Sequence, residues 1–142
     1  MTDAVAQLLP LFPAVPLIAA AFALLAPWRA VRDSIMLIIP GMGIFAGLGL
    51  LMYTMNNGVV AHTVGLYQGN VGIPFAADAF SALMIITTMI VAFGANWFAI
   101  AGGETKSRFY PSLTLILITG VCGALLTADL FNFFVFIEVM LL

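Results

Sequence analysis

Two carboxylic acids near the end of the sequence have very different surroundings. Asp129 follows Thr127 and Ala128 and directly precedes an apolar, aromatic run, whereas Glu138 lies inside that run. If the run is a helix that begins near Asp129, Glu138 lies about 13–14 Å further along the axis and on the opposite face. A carboxyl group surrounded by Phe, Val, Ile, Met and Leu favours the binding and release of a proton or cation over bond-making chemistry.

The composition indicates a protein embedded in a membrane. Of the 142 residues, 64% are hydrophobic and only 7% are charged, whereas a soluble domain carries about 25% charged residues. Such a chain cannot cover itself with a wetted surface. We therefore expect an all-α, polytopic membrane protein.

Several function classes are excluded by the sequence. No basic stripe is available for nucleic acid, and the single Cys122 provides neither an internal disulfide nor a metal-ligand pair. HExxH, a Ser/His pairing and a metal cluster are all absent from the sequence, so we expect no enzyme, no cofactor and no metal site. The first residues contain no Lys or Arg, so they lack the basic region of a cleaved signal peptide and are expected to be part of the mature protein.

Five apolar runs fit membrane-spanning helices, each of which needs about 20 residues. They cover about 8–27, 35–55, 79–102, 109–127 and 130–142. The fifth run would rise only about 20 Å, against a hydrocarbon core of about 30 Å. We expect residues 1–142 to form one N-terminal transmembrane portion, whose fifth helix is truncated at the start of a larger fold.

The basic residues predict the orientation in the membrane. Arg29 and Arg32 lie in the connection 28–34, and Lys106 and Arg108 lie in the connection 103–109. The positive-inside rule makes both connections cytoplasmic and places the N-terminus and the loop at about 56–78 outside the cell membrane. Alternating residues and a central Gly-Asn pair predict a short hairpin in that loop.

Glu138 is the main candidate for function. An ionised acid at mid-membrane costs at least about 2.5–3.5 kcal/mol, so it either stays protonated or pairs with a base. A proton or cation relay is favoured; the alternative is a buried acid that only bonds a neighbouring helix. All four basic residues are assigned to the cytoplasmic edge, about 15 Å from mid-membrane. A basic partner must therefore come from further helices or another subunit.

Other polar and small residues have mainly structural interpretations. Asp129 is predicted to cap the fifth helix, and Thr127 precedes it in a supporting role. Gly43 and Gly47 form a small-xxx-small pair that allows two helices to approach closely. Scattered polar residues in the spans, Asn96 among them, are expected to bond their own backbone or a neighbouring helix.

Two motifs resemble the D subunit of Mrp-type multisubunit Na⁺/H⁺ antiporters, which are similar to the proton-pumping subunits of respiratory complex I. The first is ADLFNxFVFxE, with Ala128, Asp129, Leu130, Phe131, Asn132, Phe134, Val135, Phe136 and Glu138. The second is GI-x-x-x-AD-x-x-SAL, with Gly72, Ile73, Ala77, Asp78, Ser81, Ala82 and Leu83. Ile137 and the pair Asn70-Val71 depart from the family pattern.

The resemblance implies that Glu138 is essential and works with a lysine on a later helix, along a polar mid-membrane axis. It also implies other membrane subunits as partners and H⁺ and Na⁺, or Li⁺ or K⁺, as transported ions, in a bilayer. Two alternatives remain open: a proton-pumping subunit of a respiratory NADH dehydrogenase complex, and a structural membrane subunit that only assembles its neighbours.

Overall fold

The computed structural model describes residues 8–64, 73–107 and 109–141, which form a helical bundle with one small hairpin. Its helices are α1 (Leu11–Leu25), α2 (Arg29–Asn57), α3 (Ala79–Ala101), α4 (Phe109–Leu126) and α5 (Leu130–Leu141), with a 3-10 turn at Glu104–Lys106. Three of them, α2 to α4, are long and apolar enough to cross a membrane, and α1 and α5 are shorter apolar helices. The expected helical membrane fold is confirmed.

The boundary between the first two helices differs from the sequence prediction. The second helix begins at Arg29, not near residue 35, and only 26–28 separate it from α1. Pro27 disfavours helical backbone at Ala26, whose ψ is 126°, and so ends α1. Residues 29–34 contain no proline or glycine, and their charged and polar side chains are compatible with a helix. Residues 29–34 of the predicted cytoplasmic connection are therefore the start of α2.

The loop after α2 contains the expected hairpin. Gly58 ends α2 with a φ of 80°, which glycine adopts without strain. The strands β1 (Val60–Val64) and β2 (Ile73–Ala77) then pair antiparallel, with Val60 opposite Ala77. The predicted Gly-Asn turn lies outside the described residues, as do the N-terminal seven residues, Arg108 and Leu142.

Small and hydroxyl residues bring the helices together. A Cβ on Gly43 would lie 2.6 Å from the sulfur of Met89, and one on Gly47 would lie 2.8 Å from Ile86 Cγ1. The predicted role of this glycine pair in close packing is thus confirmed for α2 against α3. On the other side, α1 packs along α4, where the Ser112 hydroxyl donates to the carbonyl oxygen of Ala20 over 3.1 Å.

Polar contacts show which connections share an end of the bundle. Arg29 Nη2 donates to the hydroxyl of Thr105 over 3.2 Å, and this hydroxyl donates to Asp33 Oδ2 over 3.3 Å. The first and third connections are therefore neighbours. At the opposite end, Ala128 N donates to the carbonyl oxygen of Pro74 over 3.0 Å. The hairpin and the connection between α4 and α5 therefore lie together, away from the arginines.

Candidate functional site

The start of α5 is built by three polar side chains. Asp129 Oδ2 accepts from the backbone N–H of Asn132 over 3.4 Å, while the carbonyl oxygen of Asp129 accepts from Phe133 N over 2.9 Å. Asp129 is therefore the predicted cap. The Asn132 amide also donates to the hydroxyl of Thr127 over 3.2 Å. Thr127 and Asp129 thus act together on the first turn of α5 and its attachment to the preceding connection.

One face of α5 packs closely against α4. This face carries Phe136 and Met140, and it lies over Gly120 and Gly123. A Cβ on Gly123 would overlap the ring of Phe136, and one on Gly120 would lie 3.0 Å from the Phe136 carbonyl oxygen. The same ring lies 6.5 Å, centroid to centroid, from that of Phe75 in β2. Phe136 therefore contacts both α4 and the hairpin.

Glu138 lies on the other face of α5. Two residues turn an α-helix by about 200°, so Glu138 points away from the α4 contact made by Phe136. Its side chain is exposed. The exposed side chains around it on this face are apolar: Phe131 is 74% exposed, Phe134 60% and Leu141 79%. The result is an acid placed in an apolar helix surface that no other described helix covers.

The predicted site residues fall into two groups. Thr127 and Asp129 are joined at the start of α5, whereas Glu138 is about 13 Å further along the helix and near its opposite face. Within 8–64, 73–107 and 109–141, the Glu138 carboxylate makes no hydrogen bond or ion pair. Among the described residues, the ion pair is that of Arg29 with Asp33, whose Nε and Oδ2 atoms are 3.7 Å apart. It lies at the end of the bundle distant from the start of α5.

Sequence reasoning missed the packing of α5, the helix that carries Glu138, against α4 and the hairpin. The seat for Phe136 is formed by Gly120 and Gly123, which are three residues apart and therefore on one face of α4. That spacing in the stretch GVCG was the available signal. The contact between Phe136 and Phe75 had no signal, because it joins two elements separated by 61 positions.

The chemistry available to this surface follows from its polarity. A carboxylate on a helix in the hydrocarbon core of a membrane is unfavourable by at least about 2.5–3.5 kcal/mol if it stays ionised. Protonation removes the charge, and a cation brought by a neighbouring helix compensates it. The surface therefore suits reversible protonation or cation pairing. No cluster of three or more His, Cys, Asp or Glu side chains occurs in the part of the chain that the structure describes.

Comparison with known proteins gives a consistent result. No family model matches the chain. It is 36% identical over 138 residues to the D subunit of a Na⁺/H⁺ antiporter from Alkalihalophilus pseudofirmus, covering 90% of this chain and 27% of that protein. It is also similar to a chain of the Mrp complex from Dietzia sp., with 42% identity, a TM-score of 0.91, and coverage of 96% of this chain and 26% of the other.

A more distant structure shares the fold. A chain of an archaeal respiratory membrane complex, the membrane-bound sulfane sulfur reductase, superposes with a TM-score of 0.80 at 23% identity. The match covers 96% of this chain and 28% of that one. The chain described here thus spans about a quarter of the length of the proteins it matches.

Proposed function

Because the chain is homologous to the N-terminal part of the D subunit of Mrp-type Na⁺/H⁺ antiporters, we propose that it acts in a multisubunit monovalent cation/proton antiporter. In this proposal, Glu138 belongs to the relay that moves protons or Na⁺ through the membrane. The partners are the other membrane subunits of the complex, and the transported ions are H⁺ and Na⁺, or Li⁺ or K⁺.

The observation that carries the proposal is the placement of Glu138. It is an exposed acid on the apolar face of α5 that points away from the rest of the bundle. A residue retained only for packing would be apolar there, since the surrounding residues are. The carboxyl group is neutral when it holds a proton and needs a cation when it releases it. The binding of one ion is thereby linked to the release of the other.

The basic partner is supplied from outside the described residues. Arg29 and Arg32 lie at the N-terminus of α2, at the end of the bundle opposite Asp129 and the hairpin. Lys106 lies in the third connection, which neighbours Arg29, and none of these three residues forms an ion pair with Glu138. We assign the pairing role to a lysine on a later helix, as the family resemblance implies, which approaches the open face of α5. With the arginine-bearing end cytoplasmic, the hairpin and Asp129 are on the outer side of the plasma membrane.

The test replaces Glu138 in the complete antiporter complex and measures ΔpH-linked Na⁺ exchange in membrane vesicles. Glu138→Gln keeps the shape but cannot ionise, so exchange is expected to fall by about a hundredfold or more, the scale of a lost proton-transfer group. Glu138→Asp is expected to retain partial exchange. The matched control is Glu104→Gln, because Glu104 is an exposed acid at the other end of the bundle.

Complex assembly is measured in the same vesicles. Assembly is expected to be retained in Glu138→Gln, since this side chain makes no hydrogen bond or ion pair within the described residues. Full exchange by an assembled Glu138→Gln complex would leave only the structural alternative.

The respiratory alternative has one observation in its favour, the fold shared with the archaeal respiratory membrane complex. A proton-pumping subunit of a redox complex would use the same acid but would be driven by electron transfer. Co-purification with redox subunits, and proton translocation that requires an electron donor, would favour that alternative. Na⁺-dependent proton movement in vesicles without an electron donor is the result expected for an antiporter.

A further inference from the structure

Phe136 connects α5 to the two elements that hold it. We propose that Phe136, seated on Gly123 of α4 and against Phe75 of the hairpin, is a positioning residue that sets the rotation of α5 and hence the direction in which Glu138 points, at a depth set by the attachment of α5 to the hairpin. The inference rests on the proposed function, because it assigns to Phe136 an effect on the ion-binding acid that is separate from folding.

The depth of α5 is set at its first residues. Ala128 N donates to the carbonyl oxygen of Pro74 over 3.0 Å, and Thr127 forms a β-bridge with Phe75. Only Asp129 separates this attachment from the first residue of α5. The helix therefore cannot move along its axis without breaking the contacts to β2, and the hairpin determines how deep Glu138 lies.

The rotation of α5 is set by the seat of Phe136. Gly123 leaves no space for even a methyl group, because a Cβ there would overlap the ring. Backbone atoms of α5 are also close at Gly120, where a Cβ would lie 3.1 Å from Met140 N. Since Cα atoms lie about 2.3 Å from the helix axis, a rotation of about 25° moves the Cα atom of Glu138 by about 1 Å, and its carboxyl group, further from the axis, by more. Displacements of this size strongly affect reactions that depend on geometry.

Few titratable groups lie on the elements that pack around α5. In α4 they are Tyr110 and Cys122; in the hairpin, β2 has none and β1 has His62, which pairs with Phe75. Asp129 precedes α5 and points to a different face from Glu138. A change in the pH dependence of exchange after an alteration at the Phe136 seat, measured in a His62→Gln background, therefore reports on Glu138 and the partner that approaches its face.

The experiment uses the complete antiporter complex in inside-out membrane vesicles. Gly123→Ala introduces the overlap with Phe136 and is expected to lower exchange per assembled complex by about five- to tenfold and to shift its pH optimum. The double variant Gly123→Ala/Phe136→Leu makes room for the new methyl group and is expected to recover most of the exchange. Gly94→Ala is the control, because a Cβ at Gly94 meets no atom within 4 Å.

Two results would overturn the proposal. One is an unchanged pH profile and exchange rate per complex in Gly123→Ala. The other is a loss explained entirely by fewer assembled complexes, which means that the seat serves folding only. If Gly123→Ala does not assemble, Phe136→Leu alone is measured in the same way, and an unchanged pH profile then refutes the positioning role.

The outcomes separate this proposal from the proposed function. Full exchange by Glu138→Gln refutes both. If Glu138→Gln is inactive but Gly123→Ala has unaltered exchange and pH profile, only the positioning role is refuted. Where Gly123→Ala does not assemble, an unaltered pH profile in Phe136→Leu has the same meaning.

Discussion

The side-chain nitrogen of Asn96 lies 3.0 Å from the carbonyl oxygen of Met36, and this hydrogen bond joins α3 to α2. Four residues after Met36 stands Pro40, which has no N–H to donate to that carbonyl. In hydrocarbon no water replaces the missing donor. Asn96, which is 1% exposed, therefore satisfies the carbonyl group that Pro40 leaves open in α2.

The first prediction concerns this pair. Asn96→Ala is expected to destabilise the folded protein by about 1–2 kcal/mol, the scale of an interhelical polar bond in a membrane. In a Pro40→Ala background the cost of the same change is expected to be smaller, because the introduced alanine supplies its own N–H to the Met36 carbonyl. The measurement is a double-mutant cycle on the unfolding free energy of the detergent-solubilised protein.

A matched control for the cycle is Thr87→Ala. Thr87 donates only to Leu83 of its own helix, over 2.9 Å, and its effect should be equal in both backgrounds. An Asn96→Ala cost that is the same in the native and the Pro40→Ala backgrounds would contradict the compensation.

The second prediction concerns the two ends of the bundle. Lys106 and Ala128 are both exposed and lie in the third and fourth connections. In a Cys122→Ala background, an impermeant thiol reagent is expected to label Ala128→Cys in intact cells and Lys106→Cys only in inside-out vesicles. The native Cys122 is buried in α4, and its replacement ensures that any labelling comes from the introduced cysteine.

Each labelling pattern has a separate meaning. Labelling of both cysteines from the same side would contradict the alternation of the connections. A reversed pattern would preserve the alternation and contradict the cytoplasmic assignment of the arginines.

The third prediction concerns the start of α3. Asp78 Oδ1 accepts from the backbone N–H of Ser81 over 2.8 Å, and this hydrogen bond holds the pKa of Asp78 below its ordinary value. Asp78→Ala is expected to lower the unfolding free energy by about 0.5–2 kcal/mol at neutral pH, as for other lost helix caps. Asp78→Asn should retain most of the stability, because an amide oxygen also caps.

The pH dependence of that effect has a definite sign. Because the folded pKa is lowered, the ionised carboxylate stabilises the protein above the ordinary aspartate pKa of about 4, and this contribution is lost as the pH falls through the folded value. The difference between the wild type and Asp78→Ala should therefore narrow in acid. Thermal unfolding at neutral and acidic pH measures it, and a difference that grows in acid would contradict the cap.

Much of the fold could be predicted because it follows from local properties. Hydropathy located the helices, and turn residues located the hairpin. The predicted start of α2 was wrong because the charged residues were taken to mark the end of the helix as well as of the apolar span. An α-helix is held by backbone hydrogen bonds, so it can continue through polar residues beyond the apolar span.

For the candidate site, the sequence alone determined that an acid lies within an apolar helix, because a single chain position and the helix repeat fix its height and its face. Asp129 was equally predictable as a cap, since capping involves only its immediate neighbours. Only the tertiary structure decided that Gly123 and Phe75 hold Phe136, and that Glu138 consequently lies on the uncovered face of α5. Such contacts join residues distant in the chain, and their geometry depends on how whole helices pack.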